Sequence, residues 1–132
     1  MQPRVAYPPR EDAVGLVRRH VASFLTWRGL HRRFPTQDAQ LVATELFTNA
    51  VRHARHHGHP ITVAVEHREG VLRVEVHDPD PAPPVPRLTA DPEATSGRGL
   101  LLVASLTRRW GTTPTPDGGK AVFTEIPPRP NP

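Results

Sequence analysis

The sequence predicts an α+β fold: a two-layer α/β sandwich whose mostly antiparallel, mixed sheet carries helices on one face. Three observations support it. Apolar residues recur at helical steps twice in the first half, between Glu11 and Trp27 and between Pro35 and Ala54. The period then changes to strand alternation in Ile61–Glu66 and Val71–Val76, and it does so again in two short runs after Leu106. Short turns join these strands in pairs, so they read as hairpins, and the order strand, helix, helix, two strands, loop, helix, two strands gathers the helices on one face. With 132 residues the chain is read as one domain, 1–132, long enough for a single core.

Taken in order, Arg4-Val5-Ala6-Tyr7 forms an edge strand that Pro8-Pro9 stops. The first helix, Glu11 to Trp27, turns Val14, Val17, Val21, Phe24 and Leu25 inward and Arg18 and Arg19 outward, and Gly29 caps its end. The second helix starts with Thr36 as N-cap, buries Leu41, Val42, Leu46 and Ala50, and stops by His56-His57-Gly58. A turn at Arg68-Glu69-Gly70 joins the first two alternating strands, and Pro79 to Ser96, with six prolines, is a loop of the length that serves as a lid. Gly97-Arg98-Gly99 opens a third helix, Leu100 to Leu106. Strands at Arg108–Thr113 and Lys120–Ile126 then flank the turn Asp117-Gly118-Gly119, and the proline-rich tail 127–132 is read as loose.

Composition excludes several classes. No apolar run approaches the roughly 20 residues that span a bilayer, and no signal-peptide core opens the chain, so the expected location is cytoplasmic, away from membranes. Without cysteine there is no disulfide framework or thiolate metal site. The net charge of +4 comes almost wholly from arginines spread along the chain, with no run of five basic residues and few aromatics, so no direct nucleic-acid partner is expected. His53, His56, His57 and His59 crowd the end of the second helix, but three of them fall in a Gly/Pro-containing loop, and a transition-metal site is not expected there. His20 and His31 read as surface residues.

Three places carry chemistry. On the second helix, Glu45 and Asn49 lie one turn apart, placing a carboxylate beside an amide oxygen. Such a pair suits Mg²⁺, which takes oxygen ligands and keeps several waters, and the carboxylate can polarise a hydroxyl or water attacking a phosphate. On those two residues alone, an ordinary i,i+4 pair on a solvated helix face is the commoner reading. Asp78 ends a strand, where it can accept a hydrogen bond from an exocyclic amine or cap a turn. Gly97 and Gly99 precede a helix N-terminus, whose free N–H groups and dipole favour phosphate.

Order and spacing together resemble the ATPase superfamily of gyrase, MutL, the heat-shock chaperone and bacterial histidine kinases, most of all its small stand-alone branch of anti-sigma factor serine/threonine kinases. Glu45-Leu46-x-x-Asn49-Ala50-Val51-x-His53-Ala54 is similar to that family's N box, Asp78 opens the G1 box, and Gly97-x-Gly99-Leu100 resembles the G2 box. Phe24-Leu25-x-x-Arg28-Gly29-Leu30 and Gly119-Lys120 with Val122-Phe123 extend the resemblance from about Val5 to Pro127. It implies a Bergerat-type ATP-binding fold with 79–96 as the ATP lid, Glu45 as general base, Asn49 as the Mg²⁺ ligand, and Asp78 as the adenine-reading carboxylate. His53, Gly97, Gly99 and Leu100 join the nucleotide-binding set, and Arg98, between the two glycines, is a separate candidate for a phosphate contact.

The resemblance further implies an Mg–ATP-dependent protein kinase that grips a sigma factor and phosphorylates its antagonist, with a homodimer as the expected assembly. No phosphoacceptor helix is expected before the domain, so a two-component sensor is not the expected reading. The chain departs from the D-x-G-x-G of a full G1 box, reading Asp78-Pro79-Asp80-Pro81-Ala82, and Phe123 falls about where many relatives carry a threonine near the adenine. Those departures motivate an alternative: an ATPase-fold regulator, catalytically weak or inactive, that acts by protein binding.

Overall fold

The computed structural model describes residues 3–53, 58–80 and 103–130, with the side chain of His53 outside that description. It contains strand β1 (Arg4–Tyr7), a 3-10 turn (Glu11–Ala13), helices α1 (Val14–Trp27) and α2 (Thr36–His53), and strands β2 (Ile61–Arg68), β3 (Val71–Asp78), β4 (Arg109–Pro114) and β5 (Lys120–Ile126). Residues 103–106 are also helical, and the Thr107 hydroxyl donates to the Val103 carbonyl at 2.8 Å.

The strands form one sheet in the order β1-β2-β3-β5-β4. Every neighbouring pair among the described residues is antiparallel. Two hairpins are thus laid side by side, with β5 between β3 and β4. The β2–β3 hairpin closes through two residues of positive φ, Glu69 at 51° and Gly70 at 80°, the arrangement whose twist matches paired strands. Strand alternation gives the sheet two unlike faces. Ile61, Val63 and Val65 of β2, Leu72, Val74 and Val76 of β3, and Val122 and Ile126 of β5 join one core with the helices. Arg73, Glu75, Phe123 and Glu125 turn to the opposite side.

Both helices bury stripes with three- and four-residue steps. In α1 these are Val17, His20, Val21, Phe24 and Leu25. The helix ends as a Schellman motif: Leu30 N–H donates to Leu25 O at 2.7 Å and Gly29 N–H to Thr26 O at 3.1 Å, with Gly29 at φ 68°. His20 is buried and packs its ring 6.0 Å from that of Tyr7, contrary to the surface position expected for it. It stands three residues after Val17 and four before Phe24, so the helical period takes it inward with its neighbours.

In α2 the buried stripe is Ala39, Val42, Ala43, Leu46, Phe47 and Ala50, whereas Leu41 is only half-buried. The expected N-cap shifts by one residue: Ala39 N–H donates to Pro35 O at 3.1 Å, so Pro35 caps the helix and Thr36 is its first residue. At the other end of the chain, Arg129 N–H donates to Arg33 O at 2.7 Å, which tethers the described part of the tail to the α1–α2 connection.

Candidate functional site

Helix α2 lies across β2, β3 and β5, and its flank carries the first group. Steps of four and three residues bring Glu45, Asn49 and Arg52 into line beside the buried stripe. Glu45 and Asn49 are half-buried, a middle position that keeps their polar atoms usable while removing much of their water. Burial raises the Glu45 carboxyl above its ordinary value, and the positive charge of Arg52 works against that rise. Arg52 in turn donates through Nε to Glu11, so the end of α2 is tied to the 3-10 turn before α1. This ion pair spans 41 residues and has no signature in the sequence.

The second group is at the far end of β3. Asp78 is the last residue of that strand, on the helix-facing side with Leu72, Val74 and Val76, and is 5 % exposed. Its Oδ1 accepts the Asp80 N–H at 2.8 Å, a turn of the kind Asp forms with the residue two ahead. Its Oδ2 accepts from Lys120 Nζ at 3.1 Å, and the same ammonium donates to the Asp80 carbonyl at 2.7 Å. Both side chains are buried, so the two charges neutralise each other where neither could stand alone.

The backbone around the pair is close-fitted. Lys120 begins β5 directly opposite Asp78 in the β3–β5 register. A Cβ added to Gly119 would lie 2.2 Å from the Asp78 carbonyl oxygen and 2.8 Å from Pro79 Cα, so only glycine lets β5 start here.

Phe123 is not at this site. Its ring is on the opposite sheet face, where the guanidinium carbons of Arg73 and Arg109 lie 4.1 and 5.0 Å from the ring centre. The β5 residue facing Asp78 is Lys120, three positions earlier, to which sequence reasoning gave no role. Gly119-Lys120 is visible in the sequence, but the pairing of β3 with β5 that gives it meaning is not. Of the other expected site residues, His53 closes α2 with its side chain outside the described residues. Gly97, Arg98, Gly99 and Leu100 lie outside them altogether, as does the lid beyond Asp80.

A sequence profile described as histidine kinase-like ATPase domain matches residues 7–124. The chain belongs to that family. Membership of an ATPase family makes ATP the relevant ligand class for the domain. No curated protein matches the sequence. Among solved structures, the chain is similar to the histidine kinase domain of the blue-light activated histidine kinase from Erythrobacter litoralis EL346, at 21% identity and a TM-score of 0.49. The match covers 96% of this chain and 64% of that one, so the domain spans less than two thirds of its structural relative.

The donors present fit Mg²⁺ in one specific way. Among the described residues no group of three or more His, Cys, Asp or Glu side chains could hold a metal ion by themselves. A single amide oxygen from Asn49 beside the Glu45 carboxylate instead suits an ion that keeps its waters and shares its remaining positions with phosphate oxygens. No described helix is long and apolar enough to cross a membrane.

Proposed function

We propose that this domain is an Mg–ATP-dependent serine/threonine-protein kinase of the anti-sigma factor type, which binds a sigma factor and phosphorylates the protein that antagonises that binding. The observation that carries the reading is the half-buried Glu45 with Asn49 one turn away on α2. Burial raises the Glu45 carboxyl, which moves it towards the basicity needed to take a proton from an attacking serine hydroxyl. In that step the hydroxyl oxygen bonds to the γ-phosphorus, the bond to the β–γ bridging oxygen breaks, ADP leaves, and the proton goes to Glu45. Asn49 would hold Mg²⁺, which screens the phosphates, and Asp78 orients the base. Positioning and charge neutralisation dominate phosphoryl transfer of this kind.

Two measurements test this. Glu45→Ala is expected to lower transfer from ATP to the antagonist by at least about 100-fold with ATP affinity nearly unchanged; transfer at the wild-type rate would sink the assignment. Calorimetry should give ATP binding that needs both Mg²⁺ and Asn49.

A second reading is favoured by the turn after Asp78. Asp80 and Ala82 stand where the G1 box has its glycines, Pro79 and Pro81 flank Asp80, and both Asp78 oxygens already accept bonds from protein groups. In this reading the domain keeps the fold and recognises its partner with little or no catalysis. Mg–ATP binding without any transfer would select it.

A further inference from the structure

We propose that Lys120 is a base-reading residue, and that with Asp78 it makes the site accept 6-oxopurine nucleotides as well as adenine nucleotides. The inference rests on the nucleotide-binding reading above and adds the ligand class. A buried carboxylate alone accepts hydrogen bonds and offers none, so it favours a 6-amino purine and repels a 6-keto oxygen. Here the acceptor has a donor beside it. Lys120 Nζ is 3.1 Å from Asp78 Oδ2, on the same face of the sheet and at the same strand ends, and both side chains are below 10% exposed.

The hydrogen-bond inventory leaves capacity on both sides. The ammonium carries three N–H donors, and Asp78 Oδ2 and Asp80 O take two of them among the described residues. Among the described residues each Asp78 oxygen accepts one bond and can accept a second. A 6-amino group would donate to the carboxylate, and a 6-keto oxygen would accept from the ammonium, within the small displacement that separates the two. Lys120 also faces a 6-amino group as one donor faces another, which reduces the preference for adenine further. The turn bond from Asp80 N–H holds the carboxylate and the close seat of Gly119 holds the Asp78 backbone, so the pair is positioned before any ligand arrives.

The test is calorimetry on the whole chain with the Mg²⁺ complexes of ADP, GDP, IDP and purine riboside 5′-diphosphate, which has no substituent at carbon 6. The expected result is ADP, GDP and IDP within about 30-fold of one another, and the unsubstituted purine at least about tenfold weaker than ADP and IDP. Lys120→Met should then weaken GDP and IDP by about 100-fold relative to ADP. A wild-type preference for ADP above that 30-fold limit overturns the inference while leaving nucleotide binding intact. So does equal affinity for the unsubstituted purine, or a Lys120→Met variant with the wild-type ratio. Should Lys120→Met fail to fold, the ligand series on the wild-type protein decides alone. Binding of none of the four overturns the nucleotide-binding reading itself, and this inference with it.

Discussion

The Arg73 guanidinium carbon stands 4.1 Å from the centre of the Phe123 ring while Arg73 Nε donates to Glu75 at 2.6 Å. That contact closes the sheet face that no described helix covers. Arg73 also reaches Glu125, Arg109 pairs with Glu125, and His77 bonds Glu75, so one aromatic ring is wrapped by a charge network. A cation over an aromatic face contributes about 0.5–2 kcal/mol depending on its desolvation. Phe123→Thr is therefore expected to lower stability by about 1–3 kcal/mol, with nucleotide affinity changed less than about twofold because the ring lies across the sheet from Asp78. Chemical denaturation and calorimetry on the same preparation check both halves. A large loss of affinity in a folded variant would return Phe123 to the nucleotide side.

Acid stability should depend on Glu75. Its hydrogen bond from His77, followed by the bond and charge of Arg73, outweighs burial and lowers the carboxyl from 4.5 to about 2. A carboxyl depressed in the folded state contributes its stability above the unfolded value. That contribution fades as pH falls from about 4.5 towards about 2. Allowing for solvent screening, it is worth about 1–2 kcal/mol at neutral pH. Urea midpoints measured across that window should fall steeply for the wild type and more gently for Glu75→Gln, which has nothing to protonate.

How far the sequence reveals this molecule depends on how local each signal is. Glu45 and Asn49 share one helix turn, and a four-residue spacing is readable without knowing anything else. The turn at Glu69-Gly70 and the glycine after α1 are local in the same sense, and both stand where the residues put them. Lys120 is 42 residues from Asp78, on a strand whose partner is chosen by the whole sheet, so neither composition nor periodicity can pair them. The resemblance sets Phe123 about where relatives carry a threonine near the adenine, but strand register is unforgiving: its offset of three residues from Lys120 is odd and changes the face. His20 differs from its expected surface position because its place in the α1 stripe outweighs the usual exposure of histidine.

The β2–β3 turn contains a correctable strain. Glu69 takes φ 51°, a conformation that a side chain with a Cβ disfavours, and the turn type favours Asn or Gly at this position. Glu69→Asn should stabilise the domain by about 0.5–1 kcal/mol without changing nucleotide binding. Equilibrium unfolding of the two proteins decides it; an unchanged or lowered midpoint would mean that the Glu69 side chain makes a compensating contribution.

Gly118 and Gly119 are adjacent but are required for different reasons, and substituting each in turn separates backbone strain from steric exclusion. Gly118 has φ 91° with open space where a Cβ would stand, so Gly118→Ala pays only the conformational penalty, about 1–2 kcal/mol. At Gly119 the added carbon would meet the Asp78 carbonyl at 2.2 Å, and backbone cannot rotate away as a flexible side chain would. Either β5 or the Asp78–Pro79 segment must move, and that movement breaks the geometry that lets Lys120 reach both Asp78 and Asp80. Gly119→Ala is accordingly expected to cost about 3 kcal/mol or more and, in whatever fraction stays folded, to weaken nucleotide binding. Gly118→Ala should leave binding as it is. Equal losses of affinity in the two variants would show that the turn as a whole, rather than the close seat of β5 on Asp78, organises this end of the sheet.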